Sequence, residues 1–315
     1  MVEFKPEGVI PAVLLPFHSN GDIDWESYGA HLRDVAAVDG ITGITVNGHS
    51  QEIPSLTPDE QARVIDFTLE QVGDRIPVLA GIYQDGSDQA AALARQAQAH
   101  GAHGLLIFPS DVLAMGGYLR PEMAYRHYET IAAQTTLPMI AFEYALSTGK
   151  GYTLEALLGL AERVPNIVAI KDMSHDPQLH EKHIRALHAA PRRIAVLSTH
   201  SSWLFSSLVL GCDGLLSGAG SVIAPMQVEL FRAVQAGDLR QAQAVAARMF
   251  PIASAFYSAP MADMHNRMKE ALVILGRIPD ATVRPPLAKI HDDEIDRIRV
   301  ALVESGLLVA AGVGA

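Results

Sequence analysis

Lys171 ends a short β-branched, apolar run, Asn166-Ile167-Val168-Ala169-Ile170-Lys171-Asp172, that follows Pro165. A lysine held among apolar side chains loses the hydration that stabilises its ammonium form, and the neutral amine attacks carbonyl carbon. Spacing alone fits a solvated strand-end lysine better, so the company it keeps decides. Asp172 serves equally as a cap or as the partner of a neighbouring group. A second segment with chemical content is Asn47-Gly48-His49-Ser50-Gln51-Glu52. Gly48 lets backbone approach a ligand, and successive amides after a strand form a nest for a carboxylate. Ser50 can donate to that carboxylate or relay a proton, and His49 has an ordinary pKa near neutrality. Taken alone, the segment also reads as a plain turn. The third segment is Phe142-Glu143-Tyr144-Ala145-Leu146-Ser147-Thr148-Gly149. Alternate strand residues share a face, so Phe142 and Tyr144 point one way and Glu143 the other. Tyr144 then either brings a phenol to the strand end or packs as an aromatic with its hydroxyl in water.

Other reactive residues read as structural. His180 and His183 stand three apart in a polar helical stretch with Lys182, which we take as a solvated helix face and not a metal site. Gly218-Ala219-Gly220-Ser221 has the composition of a phosphate cradle or of a loop on the substrate side. Gly149-Lys150-Gly151 is too short for a nucleotide P-loop. Cys212, the only cysteine, can form no internal disulfide and reads as a small buried apolar side chain, which suits a reducing, cytoplasmic setting.

The elements that must position these residues repeat one unit, a short β-rich apolar run followed by a polar or Gly-rich turn and a stretch of helical periodicity. Strands are expected at 10–15, 43–46, 78–81, 104–108, 139–143, 167–171, 194–197 and 214–216. Helices are expected at 25–38, 58–72, 87–100, 121–134, 154–163, 177–188, 201–210 and 225–236. Thr57-Pro58 with Glu60, and Asp24 before Trp25, are helix-start signals. Eight such units imply parallel strands closed into a (β/α)8 TIM barrel over 1–236, whose strand C-termini carry the site. A doubly wound open sheet is the rival, but Leu14-Leu15-Pro16-Phe17 offers no Gly-rich dinucleotide turn. The remainder, 237–315, reads as a C-terminal helical extension packed on the barrel, with helices at 239–256, 261–275 and 292–305, an extended connector at Arg284-Pro285-Pro286-Leu287 and a fraying tail at 310–315.

With 49% hydrophobic residues among 315, the chain can bury a large core. A formal net charge of −11 without a basic stretch argues against nucleic acid, and no apolar run is long enough for a membrane span. The start of the chain carries Glu3, Lys5 and Glu7 and does not read as a signal peptide.

Five segments in order resemble the dihydrodipicolinate synthase/N-acetylneuraminate lyase family of Schiff-base aldolases, over nearly the whole chain. They are residues 8–17; Gly48 to Glu52 with Leu56-Thr57-Pro58-Asp59-Glu60; Ala169-Ile170-Lys171-Asp172; Gly211-Cys212-Asp213-Gly214-Leu215-Leu216-Ser217; and Val283-Arg284-Pro285-Pro286-Leu287. The resemblance implies that Lys171 forms an iminium with pyruvate or another 2-keto acid, without metal or other cofactor. It also implies that Gly48, His49 and Ser50 bind the carboxylate and that the Leu216 backbone faces the imine, with Gln51, Phe142, Ser217 and Gly218 around the substrate. There are departures. His49 replaces the family's first threonine and Gln51 its second glycine. Phe142 replaces the proton-relay tyrosine, leaving Tyr144 or His49 to supply that function. Ser147 replaces the arginine that synthases use for their second substrate, and Ser110-Asp111 replaces tyrosines that cross a subunit interface. The expectation is therefore a lyase or aldolase acting on a small 2-keto acid, and not a true dihydrodipicolinate synthase. The alternatives are an imine-dependent dehydratase or hydratase of a sugar-derived keto acid, or a barrel that binds a keto acid without turning it over. The resemblance further implies a homotetramer or dimer. Metal-dependent aldol chemistry would need His or carboxylate ligands converging at the strand ends, and the sequence shows none in place.

Overall fold

The computed structural model describes residues 3–200 and 202–309. The strands are short runs of aliphatic side chains because a parallel barrel covers both of their faces, one with the barrel interior and one with helices. They are β1 (Gly8–Pro11), β2 (Ile44–Val46), β3 (Val78–Ile82), β4 (Gly104–Ile107), β5 (Met139–Tyr144), β6 (Ile167–Met173), β7 (Ala195–Ser198) and β8 (Gly214–Ser217). All pair in parallel in the order β1-β8-β7-β6-β5-β4-β3-β2, and the parallel bridges Val9–Ile41 and Ala12–Thr45 close β1 onto β2. The result is the expected (β/α)8 barrel, not an open sheet.

The crossover helices are α1 (Trp25–Ala36), α2 (Pro58–Val72), α3 (Ser87–Ala99), α4 (Pro121–Ala132), α5 (Leu154–Arg163), α6 (Pro177–His188), α7 (Leu204–Val209) and α8 (Gly220–Gln235). Beyond them lie α9 (Leu239–Phe256), α10 (Met264–Ile274) and α11 (Asp292–Glu304). The start signals act as read. Asp24 accepts from the Ser27 amide, and Thr57 and Glu60 form a reciprocal capping box. Several boundaries differ from those expected, β1 ending at Pro11 and not 15 and α10 starting at Met264 and not 261, and two starts differ for a plain physical reason. β1 begins early, at Gly8, whose φ of +82° and 2.5 Å Cβ clearance from Thr42 admit only glycine. α8 begins a full turn before Pro225, and that proline, lacking an N–H, coincides with a kink at Ile223. The expected helix start at Ser201 and the 310–315 tail lie outside the described residues.

An inner cluster that includes Ile10, Leu79, Leu106, Ile140, Ala169, Leu197 and Leu216 fills the barrel. A larger outer layer joins strands to helices and includes Phe256, Met268, Leu272 and Ile298 from the C-terminal helices, so these share the barrel's outer core. Among the described residues no helix is long and apolar enough to cross a membrane.

Candidate active site

Register across β5, β6 and β7 aligns Phe142 with Lys171 and Lys171 with Leu197, so the lysine points into the barrel between two apolar neighbours. It lies on the wall of a cavity of about 340 Å³ at the strand C-termini. Lys171 is 7% exposed, and its Nζ sits 4.2 Å from the centre of the Phe142 ring. No carboxylate is paired with it among the described residues. Burial alone therefore moves its amine from 10.5 down to about 7, close to the value a lysine nucleophile needs at neutral pH.

The loop after β2 forms the facing wall. Asn47 and Glu52 both adopt left-handed backbone, with φ of 51° and 56°, and hold the short helical turn His49–Gln51 between them. The turn is fastened from below. Gln51 Oε1 accepts from the Asn47 amide at 2.6 Å, while Gln51 Nε2 donates to Tyr28 Oη at 2.9 Å. Glu52 accepts from Lys269 Nζ of α10 at 2.5 Å and from the Arg284 amide at 2.7 Å, and the Arg284 guanidinium grips Glu60. The Arg284 connector thus ties the C-terminal helices to this loop. Gly48 and Ser50 line the cavity, and the Ser50 hydroxyl is buried with no hydrogen-bond partner among the described residues. Gly48 has ordinary extended backbone, and a Cβ there would find nothing closer than Ser50 Oγ at 3.6 Å. Its missing side chain therefore leaves room in the cavity; no backbone strain demands it.

Phe142 and Tyr144 share the inner face, as alternation requires, with ring centres 4.5 Å apart. Tyr144 hydrogen-bonds His49 Nε2 across the cavity. Burial, followed by the Lys171 and Lys150 charges, pushes the His49 imidazole down to about 3, so it is neutral at pH 7. Burial pushes the Tyr144 phenol above its ordinary range. The pair is thus a phenol donor and an imidazole acceptor, contacting the Phe142 ring that covers the lysine. At the rim, Asp111 accepts from Tyr83 Oη at 2.6 Å and from Lys150 Nζ at 2.7 Å, and Lys150 also lies over the Tyr144 ring. Ser147 is exposed on the turn after β5.

The structure brings Lys171, Tyr144, His49, Ser50, Gly48, Phe142 and Gly218 to one cavity. It does not bring Gln51, Leu216 or Ser217 to its surface. Gln51 points under the loop, Leu216 belongs to the inner core, and Ser217 is fully buried with its carbonyl accepting from the Ala12 amide. Sequence reading missed His265, which lies against Gly218. A Cβ on Gly218 would stand 2.8 Å from His265 Nε2. Burial, with His49, Lys171 and Lys269 adding to it, holds the His265 imidazole well below its usual range. Tyr257, Met261 and Met264 of the C-terminal helices complete the roof with it. No local motif marks them, since they reach the cavity only through the packing of α9 and α10.

The reading of His180 and His183 as a solvated helix face is corrected. Both are fully buried, because α6 turns that face onto the outward side of β5 and β6. There Asp172 accepts from His180 Nδ1 at 2.9 Å, His183 Nδ1 at 3.0 Å and His200 Nε2 at 3.2 Å. Imidazole and carboxylate groups therefore do converge near the strand ends, contrary to the sequence expectation, but on the side away from the cavity.

Residues 5–305 match the sequence profile described as the Dihydrodipicolinate synthetase family. The chain is 33% identical to 4-hydroxy-tetrahydrodipicolinate synthase of Moorella thermoacetica, covering 95% of this chain and 98% of the relative. It is 30% identical to an uncharacterized DapA-like lyase of Halobacterium salinarum, covering 96% of this chain and 94% of the relative. Among solved structures it resembles YagE, a prophage protein of the dihydrodipicolinic acid synthase family from E. coli K12 solved in complex with pyruvate. That likeness has a TM-score of 0.89 and 25% identity over 96% of this chain and 99% of that one. Sequence and fold agree, and the chain belongs to the dihydrodipicolinate synthetase family.

Proposed function

We propose that this chain is a Schiff-base-forming lyase or aldolase that makes or breaks a carbon–carbon bond next to the carbonyl of a pyruvate-type 2-keto acid, with no metal or cofactor in the chemical step. The observation that carries the reading is a buried, unpaired lysine amine, held down to about 7, on the wall of a cavity at the strand C-termini. The neutral amine adds to the keto carbon, and the resulting carbinolamine loses its hydroxyl as water to leave an iminium. That iminium accepts the electron pair of the bond being cleaved. Water loss requires a proton delivered to the departing hydroxyl, and Tyr144 with His49 is the relay of that proton in place of a tyrosine at position 142. The unpartnered Ser50 hydroxyl and the backbone at Gly48 receive the substrate carboxylate. The pyruvate seen in the YagE complex supports a keto acid of this size.

Dihydrodipicolinate synthesis itself fits less well. Phe142 cannot transfer a proton, and exposed Ser147 supplies no cation for a second carboxylated substrate. The exposed Val112, Met115 and Leu119 after β4 support assembly into a dimer or tetramer through that face.

Borohydride reduction in the presence of a panel of 2-keto acids, read by intact mass and peptide mapping, tests the imine. The expected result is one adduct per chain on Lys171, lost in Lys171→Ala. No adduct with any keto acid refutes both lyase and imine-dependent dehydratase chemistry and leaves a binding barrel. Release of an aldehyde together with pyruvate identifies carbon–carbon cleavage, whereas loss of water alone identifies the dehydratase.

A further inference from the structure

We infer that Glu143, Asp172, His180, His183 and His200 form a buried site for a divalent transition-metal ion of the zinc class, set directly behind the strand that carries Lys171. The inference goes beyond the proposed reaction and does not depend on it. Ladder register places Glu143 beside Asp172 on the outward faces of β5 and β6. One turn of α6 supplies His180 and His183, and the segment after β7 supplies His200. All five side chains are buried, at most 1% exposed. Their donor atoms fall into two overlapping sets, Asp172 with His180 and His200, and Glu143 with Asp172 and His183, each with its atoms within 4.8 Å of one another.

Three observations favour a cation. Two carboxylates are held out of water among three imidazoles, and a divalent cation would offset their charge in place of protons. The separations of 2.9, 3.0 and 3.2 Å from Asp172 oxygens to the three imidazole nitrogens serve hydrogen bonds when those nitrogens carry protons, and they also approach the roughly 3.3 Å edge of a tetrahedron with bonds of about 2.0–2.1 Å, so a cation could replace those protons with little movement. Glu143 Oε1 lies 2.9 Å from His183 Nδ1, yet neither of its oxygens makes a hydrogen bond among the described residues. It is a buried carboxylate placed as a ligand, with no well-aligned hydrogen bond to either oxygen. Protons could balance the charge instead, by charging His183 and protonating a carboxylate, and metal content tells the two states apart.

The donor set selects the ion. Imidazole nitrogen suits zinc and its transition-metal neighbours, whereas calcium and magnesium take oxygen. Trp203 stacks on His200 at 4.1 Å between ring centres, and none of the five side chains lines the cavity. The ion would have no open position for substrate and no role as a Lewis acid. Its effect is positional. It would clamp β5, β6, the segment after β7 and α6 together at Asp172, the residue after Lys171.

A site this enclosed fills as the chain folds. The test is therefore metal analysis of tag-free protein refolded from denaturant with zinc or with chelator, followed by exhaustive dialysis against chelator. The expected result is about one zinc per chain that resists dialysis, a higher midpoint of thermal unfolding than the chelator-refolded protein, and X-ray absorption showing an all nitrogen and oxygen shell with imidazole scattering. Glu143→Gln and His180→Gln should lower retention at least tenfold. Folded wild-type protein that retains no zinc overturns the proposal, as does zinc retained equally by both variants or held in a shell without imidazole. Because the wild-type metal content and absorption spectrum decide the question, variants that fail to fold do not spoil it.

Discussion

If Lys171 is a nucleophile by virtue of burial, its reactivity toward a small neutral electrophile must follow the fall of its amine from 10.5 to about 7. At pH 7 an ordinary lysine is neutral in roughly 0.03% of molecules, and one titrating at 7 in about half, an advantage on the order of a thousandfold in reactive amine. Some is returned, because nucleophilicity falls with basicity, so the net gain should be closer to tenfold to a hundredfold. Competitive labelling with trace isotopic acetic anhydride between pH 5 and 10, followed by peptide mass analysis, reads this directly, with exposed Lys5 as internal reference. Lys171 labelling should rise about tenfold per pH unit below 7 and level off above it. The kcat/KM of the enzyme for its keto acid should show the same limb, lost as pH falls through about 7, since only the neutral amine attacks. Labelling that keeps climbing beyond pH 9 would mean that water or a partner solvates the amine, and the argument from burial would be wrong.

Tyr144→Phe and His49→Phe should each slow imine formation by about 100-fold or more. The double variant should be little worse than either, because the two act through one hydrogen bond; trapping rates at unchanged circular dichroism test this. Gln51→Ala strands the Asn47 amide and removes one of two partners of the Tyr28 hydroxyl, which keeps Thr68. It should cost about 1–3 kcal/mol, seen as a lower denaturant midpoint at unchanged m-value. Lys269→Met leaves the Glu52 carboxylate buried without its cation, with only the Arg284 amide as donor. A loss of about 3–5 kcal/mol is expected, and no change in unfolding midpoint would refute the role given to this ion pair. Gly81→Ala places a Cβ 2.0 Å from the Asn47 carbonyl oxygen. It must displace the loop that carries His49 and Ser50, so keto-acid trapping should weaken along with stability.

Short apolar runs, helical periodicity and helix-start residues are local quantities, and they carried far. Pro58–Val72, Leu154–Arg163, Pro177–His188 and Leu239–Phe256 run between the boundaries that caps and prolines mark, and eight β-rich runs between such helices leave little choice but a barrel. Strand alternation also separated Phe142 and Tyr144 from Glu143, because side-chain direction in a strand has a fixed period of two. The sequence by itself thus determined the eight-fold unit, the lysine at the end of the sixth strand and the phenylalanine where a relay tyrosine is usual. Tertiary structure alone decided what surrounds them. The amine of Lys171 is depressed by burial that no neighbour in sequence supplies, and Tyr144 meets His49 across 95 residues. His265 arrives from the C-terminal helices, tied to the β2 loop by Lys269 and Arg284 through Glu52. The histidines of α6 look solvated in a helix full of charge. Only the rotation of that helix onto β5 and β6 turns their face inward, and burial, unlike periodicity, is a property of the whole fold.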